Sequence, residues 1–152
     1  MYNGYRYIVI FVCFLLRYAI ETYGYTSEEN IKPIKTTQKR IIKSTIYPFT
    51  SKRDRKEKMT EYQILSFPNL YKFIVITKHY LDTTYRNIQL NIYNTRNTYY
   101  ITPTIRNNYG KSMLAFQVPD LLNRLPNELK NIENKNKIKT EIKKHFLEEN
   151  QI

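Results

Sequence analysis

Residues 26–43 read TSEENIKPIKTTQKRIIK, and this stretch decides the fold class. Thr26 and Glu29 have capping-box spacing, in which side chains at a helix start satisfy backbone N–H groups that lack helical partners. Ile31, Ile34, Gln38, Ile41 and Ile42 then recur three and four residues apart, on one face of a helix. Pro33 falls in the first turn, where a missing N–H is harmless. Lys32, Lys35, Lys39 and Lys43 form a second stripe flanking the apolar one, and Arg40 adjoins Lys39. A stripe of this kind is either a solvated edge or a ridge that meets phosphates. On sequence alone both readings stand.

Upstream, Tyr7 to Leu16 is an unbroken apolar run between Arg6 and Arg17. As a helix it spans roughly 15 Å, about half of a bilayer core. No small-x-small cleavage pattern follows it, only Tyr18, Ala19, Ile20 and Glu21. Residues 5–23 are therefore expected to form one buried helix that ends near Gly24, a natural helix terminator. Cys13, the single cysteine, then reads as a small core residue, and no intramolecular disulfide can form.

Downstream, Pro48 interrupts the pattern, and Lys52 to Lys58 is a charge run on a connection. Helical texture returns over residues 59–81. Ile64, Leu65 and Phe67 precede Pro68, and Leu70, Phe73, Ile74 and Thr77 form an apolar stripe. From Thr83 to Pro119 there is no acidic residue. Arg86, Arg96, Arg106 and Lys111 stand among Tyr85, Tyr93, Tyr99, Tyr100 and Tyr109. Ile88, Leu90 and Ile92 alternate with polar residues, which allows a short strand between 85 and 102. The remainder reads as an extended loop, with room for short pairing near 99–118. A path of cations and aromatics can follow a nucleic-acid backbone and stack on bases. Asp120 is placed to cap a short helix ending at Pro126. A final helix runs from about Asn134 to Glu149, burying Ile138, Ile142, Phe146 and Leu147.

The chain has 152 residues and a formal net charge of +12, which favours polyanionic partners, nucleic acid before anionic membrane. Three separated glycines, Gly4, Gly24 and Gly110, offer no glycine-rich phosphate loop. Two-metal phosphoryl transfer needs converging carboxylates, and Asp54, Asp82 and Asp120 each stand alone in sequence. One cysteine with His79 and His145 gives no zinc pattern. No catalytic residue is assigned.

Several segments, read in order, carry a resemblance. Tyr18-Ala-Ile-Glu-Thr-Tyr-Gly24 is similar to a Tyr-Gly-x-x-x-Trp-Gly motif, and Gln38-Lys-Arg-Ile-Ile-Lys43 to Gln-Lys-Arg-x-Ile-Arg. Ile64-Leu-Ser-Phe67 and Leu70-Tyr-Lys-Phe73 follow, then Tyr93-Asn-Thr-Arg-Asn97 and Arg106-Asn-Asn-Tyr-Gly-Lys-Ser112. Leu121-Leu-Asn-Arg-Leu-Pro126 is similar to Leu-Trp-Asn-x-Leu-Pro, and Ile138-Lys139 with Ile142-Lys143 to Phe-Lys-x-x-Leu-Lys. This order resembles the C-terminal region of reverse transcriptases of non-LTR retrotransposons of the jockey-like, LINE type, over about residues 5–149. The sequence departs from that pattern at Tyr23 and Leu122, where tryptophan is usual. Further departures are Ala19 for glycine, Ile138 for phenylalanine, Arg124 for serine and Ile92 for histidine.

The helical periods along the chain give a mostly α fold, and the resemblance adds the nature of its parts. A helical thumb-like segment covers 1–82, a basic tyrosine-rich extended segment covers 83–119, and a helical tail covers 120–152. The resemblance implies that the catalytic palm and its Mg2+ lie in the region preceding the matched segments, so this chain carries no cofactor of its own. The expected role is binding an RNA or DNA backbone, and association with a polymerase core, inside the cell in nucleus or cytoplasm. The residues expected to meet phosphates are Lys32, Lys35, Lys39, Arg40, Lys43, Arg86, Arg96, Arg106 and Lys111. The alternative is a small basic secreted or membrane-associated protein using residues 1–20 as signal or anchor.

Overall fold

Ser27 begins the helix that the periodicity marks most clearly. Its carbonyl accepts the N–H groups of Asn30 at 3.0 Å and Ile31 at 3.1 Å. The start therefore falls one residue past the expected Thr26 cap, and the Thr26 hydroxyl turns instead to the Ser27 carbonyl. The computed structural model describes residues 14–18, 20–45, 57, 59–80, 100–130, 132 and 134–149. Their labelled helices are α1 (Ile20–Tyr23), α2 (Glu28–Thr45), α3 (Phe67–His79), α4 (Asn108–Ser112), α5 (Leu114–Arg124), α6 (Asn127–Lys130) and α7 (Lys135–Glu149). Residues 14–17 and 59–61 are also helical, and no strand occurs among the described residues. The fold is mostly α.

The chain divides into two compact units, residues 1–71 with 144–152, and residues 72–143. The first unit buries Ile20, Ile31, Ile42, Ile64, Leu65, Phe67, Leu70 and Tyr71, with Phe146 and Leu147 of α7. On α2 the buried positions are Ile31, Gln38 and Ile42, spaced seven and four apart, so the helical face read from sequence is the face that packs. Ile34 and Ile41 flank it and are half-buried. The helical texture expected over 59–81 is interrupted. Gln63 adopts φ 54°, a left-handed turn that stops one helix, and α3 restarts from Ser66, whose carbonyl accepts the Leu70 N–H at 2.7 Å. Pro68 sits in the first turn of α3, where its lack of an N–H leaves nothing unpaired.

The N-terminal expectation needs correction. Among the described residues Phe14, Leu15 and Tyr18 are 67%, 53% and 78% exposed, and Ile20 alone of that stretch packs fully inward. An unbroken apolar run carries no periodicity, so it names no buried face. Residues 1–13 lie outside the described residues. No described helix is long and apolar enough to cross a membrane. Gly24 is required for a different reason from a left-handed cap, since its φ is not positive. A Cβ there would overlap the ring of Tyr71 and crowd the Ile20 carbonyl.

The second unit buries Phe73, Val75, Ile76, Tyr80, Tyr100, Val118, Leu121, Leu122, Leu125, Ile138 and Ile142. The Tyr80 hydroxyl donates to the Leu129 carbonyl at 2.8 Å. Residues 100–106 are irregular, in keeping with the extended segment expected there. Beyond them the expectation fails, because residues 108–112 and 114–124 are helical. Two causes act. Asn107 caps α4, its Oδ1 accepting the Gly110 N–H at 2.7 Å. Leu114, Val118, Leu121, Leu122 and Leu125 then repeat at helical spacing, and all but Leu114 are buried. Burial of that face outweighs the hydrogen bond that Pro119 removes inside α5. Asp120 does not cap a helix; it lies within α5 and pairs with Arg124 at 3.0 Å. Of the short strand allowed between 85 and 102, residues 85–99 lie outside the described residues, and residues 100–102 are irregular.

The last helix matches its reading closely. Asn134 Oδ1 accepts the N–H groups of Asn136 at 2.9 Å and Lys137 at 3.2 Å, which caps α7. Ile138, Ile142, Phe146 and Leu147 are buried as the spacing requires.

Candidate nucleic-acid interface

Lys32, Lys35, Lys39, Arg40 and Lys43 all belong to α2, whose 18 residues give the row a rigid support. At 100° per residue, Lys32, Lys35, Lys39 and Lys43 fall on one side of the helix and flank the buried Ile31–Gln38–Ile42 face. Arg40 extends the row toward solvent. Lys32, Lys39, Arg40 and Lys43 are exposed and have no ion-pair partner among the described residues. Lys35 differs, for its Nζ meets Glu28 Oε1 at 2.7 Å and its side chain is partly covered. The ridge is thus four open cations and one neutralised one. The pairing of Lys35 spans seven residues, a separation that the usual search for i,i+4 partners passes over.

What keeps α2 in place is Gln38. Its Nε2 donates to the Leu65 carbonyl at 2.9 Å, and its Oε1 accepts the Phe67 N–H at 2.8 Å. Both bonds are buried, and they tie the irregular segment before α3 to the basic helix. Gln38 is only 6% exposed. Its place on an apolar face marks it as an inward residue, yet only its partners explain why an amide is there. Beside it Tyr23 stacks on Phe67 with ring centroids 6.0 Å apart and planes 13° apart, and the Tyr23 hydroxyl donates to the Leu16 carbonyl at 2.6 Å. Burial raises the pKa of Tyr23 above the ordinary tyrosine value. Tyr71 is pushed up to about 12, first by burial and then by neighbouring Tyr25 and Glu21. Its ring lies 6.2 Å from that of Tyr25, and its hydroxyl has no hydrogen-bond partner among the described residues.

The second group of cations belongs to the other unit. Arg106 and Lys111 are exposed at either end of a tight turn, with Tyr109 between them at 78% exposure. The turn is fastened from several sides. Gly110 is buried against Ile105, where a Cβ would collide with the Ile105 side chain. The Met113 N–H returns to the Gly110 carbonyl at 3.1 Å, and the Gln117 side-chain amide donates to the Lys111 carbonyl. Asn123 completes the support by pairing with both backbone groups of Tyr100. The Tyr100 N–H reaches Asn123 Oδ1 at 2.7 Å, and Asn123 Nδ2 reaches the Tyr100 carbonyl at 2.8 Å. Arg86 and Arg96 lie outside the described residues.

Among the described residues no group of three His, Cys, Asp or Glu side chains is placed to hold a metal ion. Comparison with protein-family models, with curated proteins and with solved structures finds no match. The residues that carry the sequence resemblance instead take visible positions in the fold. Gln38, Leu65, Phe67 and Asn123 are the members of the two amide clamps. Leu122 and Ile138, which stand where larger aromatics are usual, are each 1% exposed and pack as core residues. Several residues of the motifs that carry the resemblance thus serve in this chain as hydrogen-bond partners and core residues.

Proposed function

We propose that this chain is a nucleic-acid-holding element, similar to the thumb and tail of a non-LTR retrotransposon reverse transcriptase. In this reading it grips an RNA or DNA backbone and leaves phosphoryl transfer to a polymerase core. The observation that carries the reading is the row of Lys32, Lys39, Arg40 and Lys43, exposed and unneutralised among the described residues, on one rigid helix. Charged side chains repel one another when lined up, so such a row is costly in water and relieved by a polyanion. A net charge of +12 adds long-range attraction of the same sign. Phosphate contacts release condensed counterions, so binding is expected to be tolerant of sequence and steeply dependent on salt.

The test is fluorescence anisotropy with a labelled RNA at a series of salt concentrations. Replacing Lys32, Lys39, Arg40 and Lys43 together with glutamine should flatten the logarithmic salt slope by about 3, from roughly 0.7–0.9 per phosphate contact. All four side chains are exposed, so the helical circular dichroism spectrum should be unchanged. An affinity that is flat between low and moderate salt in the unaltered chain, or a slope indifferent to the four substitutions, removes the proposal.

A further inference from the structure

On the nucleic-acid reading above, the exposed Arg106 and Lys111 are taken up by phosphates, and Tyr109 between them is left without a task. A single exposed tyrosine is ordinary on a protein surface. This one is held on a turn that has little freedom left. Asn107 caps the turn, Gly110 is packed under Ile105, and Gln117 holds the Lys111 carbonyl. Because Gly110 faces inward, helical geometry throws Tyr109 and Lys111 about 100° to either side of it, both toward solvent. Met113, the extended residue that ends the turn, is also 51% exposed. No acidic residue occurs from Thr83 to Pro119, so nothing in that stretch of sequence opposes an anion.

We infer that the turn from Arg106 to Met113 is a stacking platform for unpaired nucleotides: a base lies on the Tyr109 ring while Arg106 and Lys111 take the adjoining phosphates. This rests on the nucleic-acid reading above and narrows it to single-stranded RNA or DNA. In a duplex the bases are already stacked on one another and present no free face. A backbone fastened in advance loses little conformational freedom on binding, and a tyrosine side chain adds only two torsions to be ordered, which is what makes the turn suited to the task. Base–aromatic stacking is tolerant of sequence because every base has a π-face.

The experiment measures the full chain against a labelled oligouridine and against an RNA duplex of equal length. Tyr109→Ala should weaken single-strand binding by about five- to a hundredfold, the range for loss of one stacked base. Duplex binding and the salt slope should stay as they were, and Tyr109→Phe should bind like the unaltered chain. The inference is overturned if Tyr109→Ala binds the single strand normally, or if it loses both ligands equally. When the unaltered chain binds neither ligand, both readings fall together. When it binds with a steep salt slope and Tyr109→Ala is silent, the stacking platform alone falls.

Discussion

Gln38 in one unit and Asn123 in the other do the same work. Each is a side-chain amide on a helix that supplies, to an irregular backbone, the donor and acceptor a neighbouring strand would otherwise give. Bond length alone would rank Asn123 first, since its contacts are 2.7 and 2.8 Å against 2.9 and 2.8 Å for Gln38. Burial reverses the order. Both Gln38 bonds are fully buried, while those of Asn123 are only partly so. When a buried clamp is removed, no water replaces it, and each orphaned backbone group carries its desolvation penalty. The lesson is that the cost of losing a hydrogen bond follows the solvent available afterwards more than the geometry before.

Gln38→Met keeps the volume of the side chain and removes both bonds. It should cost about 3 kcal/mol of stability, from roughly 1–3 kcal/mol for each buried group left unpaired. Urea denaturation measures the loss, and hydrogen exchange at the Phe67 amide should accelerate with it. Asn123→Leu is the parallel change and should cost only about 1 kcal/mol, because water reaches the freed groups of Tyr100. Equal costs at the two sites would break the comparison and return the ranking to bond length.

The smallest effect sharpens the point from the other side. Tyr71 has a buried hydroxyl with no partner among the described residues, so it gains nothing from a bond and bears the cost of desolvation. Tyr71→Phe is therefore expected to leave stability at neutral pH unchanged or raise it slightly. Its folded pKa, raised to about 12 from the ordinary tyrosine value of 10, sets a pH window. Between those values the unfolded chain releases the phenolic proton first, so the native state holds more protons and stability falls as pH rises. The native state bears no ionisation penalty at this group below pH 10, and the penalty accumulates as pH rises from 10 to 12. The Tyr71→Phe chain should lose less stability than the unaltered chain across that window, measured by urea denaturation at each pH. Identical curves would show that the hydroxyl is solvated.

Much of this architecture was legible before any coordinates. The inward faces of α2 and α7 follow from Ile31, Gln38 and Ile42, and from Ile138, Ile142, Phe146 and Leu147, because helical spacing is a local property. The basic ridge on α2 was equally visible. The helix around Pro119 was not, although Leu114, Val118, Leu121 and Leu122 carried the period. Asparagine and proline in the same stretch favour turns when weighed alone, and the apolar face they interrupt wins only when it has a core to enter. The exposure of Phe14 and Leu15 was hidden for the opposite reason, since a wholly apolar run names no face.

By itself, then, the sequence determined that α2 and α7 are helical by period, which side of each turns inward, and that the chain carries a net charge of +12. Those depend on neighbours three and four residues away and on summed charge. Only the tertiary structure decided that Gln38 reaches Leu65 and Phe67, that Asn123 reaches Tyr100, that Lys35 is neutralised, and that Gly24 must make room for Tyr71. Most of these pair residues more than twenty positions apart. No local pattern selects such partners; they are chosen when the helices pack and each buried polar group must find another.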